Sequence, residues 1–117
     1  MPTLPDLSHR ISRFAADRDW DQFHSPKNLA IALNVEAAEL LEHFQWLTEE
    51  QARNLPADKL EAVETEMADV FIYLVRLAEK LDVDLIAAAD RKLRINEKKY
   101  PVDKARGNAT KSTEFHR

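Results

Sequence analysis

One glycine in 117 residues, Gly107 near the C-terminus, restricts this chain more than any other feature. Sheet proteins place glycine in hairpin turns and bulges, where the backbone turns left-handed. A body without glycine favours helices joined by simple connections. The apolar pattern agrees. Leu4, Leu7, Ile11 and Phe14 recur at helical spacing and predict a helix from about Leu4 to Arg18. Ser25-Pro26 supplies an N-cap and a first-turn proline, opening a second helix that runs to about Gln45 and buries Leu29, Leu33, Leu40 and Phe44. Thr48 with Gln51 reads as a capping box for a short helix that Pro56 ends. From about Asp58 to Leu81, the residues Leu60, Val63, Met67, Val70, Phe71, Leu74, Leu77 and Leu81 make a surface wide enough for more than one partner helix. A fourth helix starts near Asp82 or Asp84 and ends before Tyr100-Pro101, because proline disfavours helical backbone at the residue before it. The polar tail, Val102 to Arg117, reads as irregular, with the option of ordering against a ligand or a neighbouring subunit.

Composition narrows the function. The length fits one domain spanning residues 1–117. So short a chain buries a modest core alone, and oligomerisation would help it. With 44% hydrophobic and 32% charged residues the chain is globular, not disordered. It has no cysteine, which excludes disulfides, zinc thiolates and thiol catalysis. A formal net charge of -4 argues against a broad grip on nucleic acid, which needs a basic face. The first ten residues hold no apolar stretch of signal-peptide length, and the longest apolar run, Val70 to Val75, is too short to span a membrane. The cytoplasm is the expected compartment.

Two acidic motifs carry the chemistry: Glu36-Ala37-Ala38-Glu39 in the second helix and Glu66-Met67-Ala68-Asp69 in the third. Residues three apart share a helix face, so each motif presents two carboxylates side by side. Their neighbours are apolar, among them Val35, Leu40, Val70 and Phe71, which sets the carboxylates at the edge of the core. Four converging carboxylates repel one another, and partial burial raises the cost of each charge. A counter-charge resolves this, and hard oxygen ligands suit Mg²⁺, with Mn²⁺ as a substitute. Glu39-x-x-x-His43 lacks the Glu-x-x-His spacing of ferritin-like di-iron sites. Acidic pairs of this spacing also occur on solvated faces; Glu61, Glu64 and Glu79 read as that kind.

These motifs, with Arg18-Asp19-Trp20-Asp21-Gln22-Phe23-His24, Pro26-Lys27-Asn28-Leu29, Phe44-Gln45-Trp46, Val70 to Leu74, Lys92, Asn96, Lys99-Tyr100-Pro101 and Ala105-Arg106-Gly107, resemble the MazG-like all-α nucleotide pyrophosphohydrolases, and within them the dCTP pyrophosphatase branch. The resemblance runs from about Leu7 to Thr113. It implies an all-α, antiparallel helical bundle completed by oligomerisation, as a dimer or a tetramer of dimers. It implies that Glu36, Glu39, Glu66 and Asp69 hold Mg²⁺ against the triphosphate of a nucleotide. Trp20, Trp46 and Tyr73 would line the base and sugar pocket with His24 close by, and Lys92 and Asn96 would help hold the nucleotide. In ungapped register Ile11 stands where some vertebrate members carry a histidine, which leaves the base preference open.

Read physically, each residue keeps an ordinary alternative. Tyr73, four residues after Asp69, shares the metal-facing side of its helix, as a ligand hydroxyl or a core tyrosine. Trp20 and Trp46 flank the acidic helix, either to stack on a base or to pack at an interface. Lys92, Asn96 and Lys99 share a face, either gripping phosphate or solvated. His24 donates to a ligand or caps a helix. The expected reaction splits a nucleoside triphosphate into monophosphate and pyrophosphate, with metal-activated water and Glu39 as the general base. A related enzyme with another nucleotide and a non-catalytic helical adaptor are the rivals.

Overall fold

The computed structural model describes residues 1–116, and no strand occurs among them. Helix α1, Leu4–Asp17, opens on a capping box: Thr3 Oγ1 accepts from the Asp6 N–H at 3.2 Å, and the Asp6 carboxylate accepts from the Thr3 N–H at 3.0 Å. Helix α2, Pro26–Glu42, starts as expected, with Ser25 Oγ accepting from the Asn28 N–H at 3.1 Å. It ends three residues before Gln45. The N–H groups of His43 and Phe44 donate to the carbonyls of Leu40 and Leu41 at 3.2 and 2.9 Å, tightening the chain into turns through Trp46. Phe44 remains half-buried beyond the helix, so the apolar pattern outruns it. Helix α3, Glu49–Arg53, carries the expected Thr48–Gln51 box. Helix α4, Ala57–Lys80, is the longest, at 24 residues. Helix α5, Leu85–Lys99, begins where Asp84 accepts from the Ala87 N–H at 3.0 Å.

The tail departs from the irregular reading. Helix α6, Val102–Ala105, follows Pro101, and a 3₁₀ turn forms at Ser112–His116; Arg117 lies outside the described residues. Four residues are too few to carry a periodic signal. The Lys104 ammonium donates to the Phe115 carbonyl at 3.3 Å, and the Phe115 ring meets Tyr100 edge-on at 5.9 Å.

Without glycine, two helices end on aspartate. Asp19 (φ 56°) and Asp82 (φ 54°) adopt the left-handed backbone usually given to glycine. Behind α1, Asp19 N–H donates to the Ala16 carbonyl at 3.0 Å and Trp20 N–H to the Ala15 carbonyl at 2.9 Å. Behind α4, Asp82 and Val83 repeat the pair onto Glu79 and Ala78, at 3.1 and 2.8 Å. Aspartate tolerates this conformation because its short polar side chain bonds locally. Asp19 does so by accepting from the Gln22 amide at 3.0 Å.

The chain forms two compact units, Met1–Val83 and the residues from Asp84 onward. In the first, α4 packs mainly against α2 and less extensively against α1. The start of α4 meets the end of α2 at Lys59 and His43, and its end meets the start of α2 near Arg76 and His24, so the two helices are antiparallel. Ala15, Leu29, Val63, Val75 and Ala78 form the buried apolar core. Leu60, Met67, Phe71 and Leu74 on α4 stay exposed, so only part of its wide apolar surface is covered in the single chain. No helix among the described residues is long and apolar enough to cross a membrane.

Candidate metal and nucleotide site

The antiparallel pairing of α2 and α4 brings the two acidic motifs together. Ligand oxygens of Glu36, Glu39 and Glu66 lie within 4.8 Å of one another, and all three residues are half-buried. Asp69, one turn beyond Glu66, is half-buried and adds its charge to the group without joining that triangle. The crowding shows in Glu36. Burial, followed by contact with Glu39 and Glu66 and the charges of Glu39 and Asp69, pushes its pKa from 4.5 up to about 7. Glu66 Oε2 is buried with no hydrogen-bond partner. A buried oxygen left unpaired is costly unless something positive meets it. An all-oxygen donor set that includes a residue with an unpaired buried carboxylate oxygen fits a hard divalent cation. His43 does not join the set: its Nδ1 accepts from the Lys59 ammonium at 2.9 Å. A shallow groove lined by His43, Asp58, Glu61, Ala62, Thr65 and Glu66 opens beside it.

A second cluster lies at the other end of α4. Trp20 packs edge-on against Phe14, with ring centroids 5.5 Å apart, and stands 6.2 Å from the His24 ring. Trp20 is half-exposed, and Trp46, at 86% exposure in the turn after α2, is almost free of protein contact. Tyr73 is half-buried on α4, four residues beyond Asp69. Lys92, exposed, and Asn96, half-buried, lie on α5 in the second unit.

Known proteins resemble this chain over most of its length. The model of the MazG-like family matches residues 31–115. The chain belongs to the MazG-like family. Among curated relatives of this MazG-like protein, mouse dCTP pyrophosphatase 1 is 45% identical over 99% of the chain and 69% of the relative. The human dCTP pyrophosphatase 1 is 44% identical over 97% of the chain and 68% of the relative. The crystal structure of a pyrophosphatase from Archaeoglobus fulgidus superposes with a TM-score of 0.81 at 37% identity, covering 86% of this chain and 94% of that one. The all-α fold of the MazG-like chain therefore stands on sequence and structure alike.

One residue of this site escaped the sequence reading. Arg76 is the single buried charged residue among those described, at 2% exposure. Its guanidinium pairs with Asp21 and Glu79 (3.3 Å to the latter), donates from Nε to His24 Nδ1 at 3.2 Å, and reaches Ser12 Oγ at 3.5 Å. Lys80 adds a second cation on Asp21 at 3.1 Å. Lys80 and then Arg76 hold the Asp21 carboxyl below the usual carboxylate range. Burial, then the charge of Arg76, pushes His24 below the usual histidine range, against the pull of Asp21. The sequence hint was slight: one charge amid Leu74, Val75, Leu77 and Ala78 on an apolar helix face.

Proposed function

We propose that this MazG-like protein is a Mg²⁺-dependent nucleoside triphosphate pyrophosphohydrolase that acts on dCTP or related, modified deoxynucleotides. The observation that carries this reading is the convergence of Glu36, Glu39 and Glu66, with one Glu66 oxygen buried and unpaired, in a chain 45% identical to a dCTP pyrophosphatase. Glu36, Glu39, Glu66 and Asp69 would hold the metal. Bound there, the cation neutralises triphosphate charge and lowers the pKa of water. Glu39 accepts the proton of the attacking water as the bond between the α- and β-phosphates breaks, releasing monophosphate and pyrophosphate. Trp20 and Trp46 lie beyond opposite ends of α2 and are assigned to the base on the family resemblance, and Tyr73 and His24 would offer polar atoms to base or sugar. Lys92 and Asn96 are assigned to the nucleotide on the family resemblance alone.

The family match at residues 31–115 crosses the division between the two units, which supports reading residues 1–117 as one functional domain. The exposed apolar residues of α4 support a homo-oligomer, a dimer or a tetramer. The expected compartment is the cytoplasm, where the nucleotide pool lies.

A panel of ribo- and deoxynucleoside triphosphates, followed by pyrophosphate release with Mg²⁺ and with chelator, tests the reading. Turnover of dCTP that chelator abolishes is expected. Turnover of another nucleotide alone removes the substrate assignment. No turnover of any nucleotide with Mg²⁺ or Mn²⁺ removes the enzyme.

A further inference from the structure

Arg76 has no part in the chemistry above, yet it is the most deeply buried charge described in the molecule. Its surroundings say what it holds. Three stretches of chain converge on it: Ser12 from α1, Asp21 and His24 from the turn around the 3₁₀ helix Asp21–Phe23, and Glu79 from its own helix. The middle stretch is the least regular of the three, held locally by the Gln22 amide on Asp19 and by the Asn28 amide on the Phe23 carbonyl, each at 3.0 Å. The Asp21–Phe23 helix has three residues, no side-chain cap and no buried residue. Its flanks are Trp20 and His24, the two residues assigned to the nucleotide from this part of the chain. The local bonds leave the Asp21 carboxylate and the His24 ring to partners outside the turn, Arg76 on both and Lys80 on Asp21.

The guanidinium also sets the chemistry of His24. Arginine carries donors only, so the atom it meets must accept. The imidazole therefore uses Nδ1 as acceptor and keeps its proton on Nε2. The ring is left as a neutral Nε2–H donor. Arg76 sits seven residues beyond Asp69 and ten beyond Glu66, on the same unbroken helix as the metal-binding acids.

We propose that Arg76 is a positioning residue: from α4 it fixes the Asp21–His24 turn, holding Trp20 in place and presetting His24 as an Nε2–H donor toward the nucleotide. This rests on the assignment of Trp20 and His24 to the nucleotide site. The locking of the turn and the tautomer of His24 stand without it. Lysine cannot replace the fork, because a single ammonium cannot bond Asp21, Glu79 and the ring nitrogen in the same planar geometry.

Three measurements test the proposal. Nitrogen-15 NMR of the imidazoles in the wild-type protein, with His24→Gln to assign the signal, is expected to show His24 as the Nε2–H tautomer. An Nδ1–H tautomer overturns the proposal, whatever the enzyme does. The chain has two tryptophans, so a Trp46→Phe background isolates the fluorescence of Trp20. In that background Arg76→Met and Arg76→Lys are expected to make Trp20 clearly more accessible to acrylamide while helicity is retained. Unchanged quenching in both overturns the locking role. If Arg76→Met fails to fold, Arg76→Lys and the wild-type NMR carry the decision. With the nucleotide substrate identified by the panel, Arg76→Lys is expected to raise KM about tenfold, the size of one lost hydrogen bond, with kcat within about threefold. A kcat loss with KM unchanged overturns the positioning role. An enzyme that turns over no nucleotide, yet gives the expected NMR and quenching results, refutes the function and leaves the lock standing.

Discussion

Neutralising Glu36 should stabilise the metal-free protein, and by an amount that depends on pH in a defined direction. In the folded chain the Glu36 carboxyl titrates at about 7, against 4.5 for a free glutamate. Between those values the folded protein keeps a proton that the unfolded chain releases. Raising the pH through this window therefore favours unfolding, and the stability present below 4.5 is lost as the pH rises to about 7. At about 1.4 kcal/mol per pH unit the ceiling is about 3 kcal/mol. Solvent screening at a half-buried position reduces it to about 1–2 kcal/mol. Glu36→Gln cannot ionise. Its melting temperature without metal should match wild type near pH 4.5 and exceed it by about 4–8 °C at pH 8, at fixed protein concentration. Magnesium should then reverse the order. Wild type gains about 2.7 kcal/mol at a hundredfold excess over its dissociation constant, and the variant gains less. Calorimetry from pH 4.5 to 8, with Mg²⁺ and with chelator, checks both halves. Equal melting curves across the pH range, or equal stabilisation by metal, would refute the electrostatic account of the site.

Two further outcomes are expected. Glu39→Gln should lower kcat at least a hundredfold, the lower range for loss of a general base, with helicity by circular dichroism intact. Trp46→Ala should raise KM for the nucleotide by roughly tenfold with little change in melting temperature, since a side chain 86% exposed has little packing to lose and about 1–3 kcal/mol of stacking to give. A melting temperature that falls instead would assign Trp46 to structure.

The elements were legible where their signals are local. Ser25-Pro26 and Thr48 with Gln51 announced their helices, and the pairing of the acidic motifs followed from spacing within two helices that then met. What stayed hidden depends on distant partners or on short range. The bonds of Arg76 reach Ser12, Asp21 and His24, 64, 55 and 52 residues away, and nothing near Arg76 signals them. Helix α2 stops at Glu42 although Phe44 continues its apolar stripe, because burial does not require the helix to persist. Asp19 and Asp82 do the work of helix-ending glycines, which a reading keyed to glycine passes over. The tail formed α6 from four residues, below the length at which any period can be seen.

The unbroken run of α4 from Glu66 to Arg76 makes one kind of mutation far harsher than others. Ten residues at about 1.5 Å each set a rise of about 15 Å along the helix axis between Glu66 and Arg76. Swapping one aliphatic residue for another within it leaves that register intact. Inserting or deleting a single residue swings everything beyond it by about 100°, turning Arg76 away from Asp21 and burying a different side chain in its place. Tolerance in this stretch is thus for change of letter, not of length.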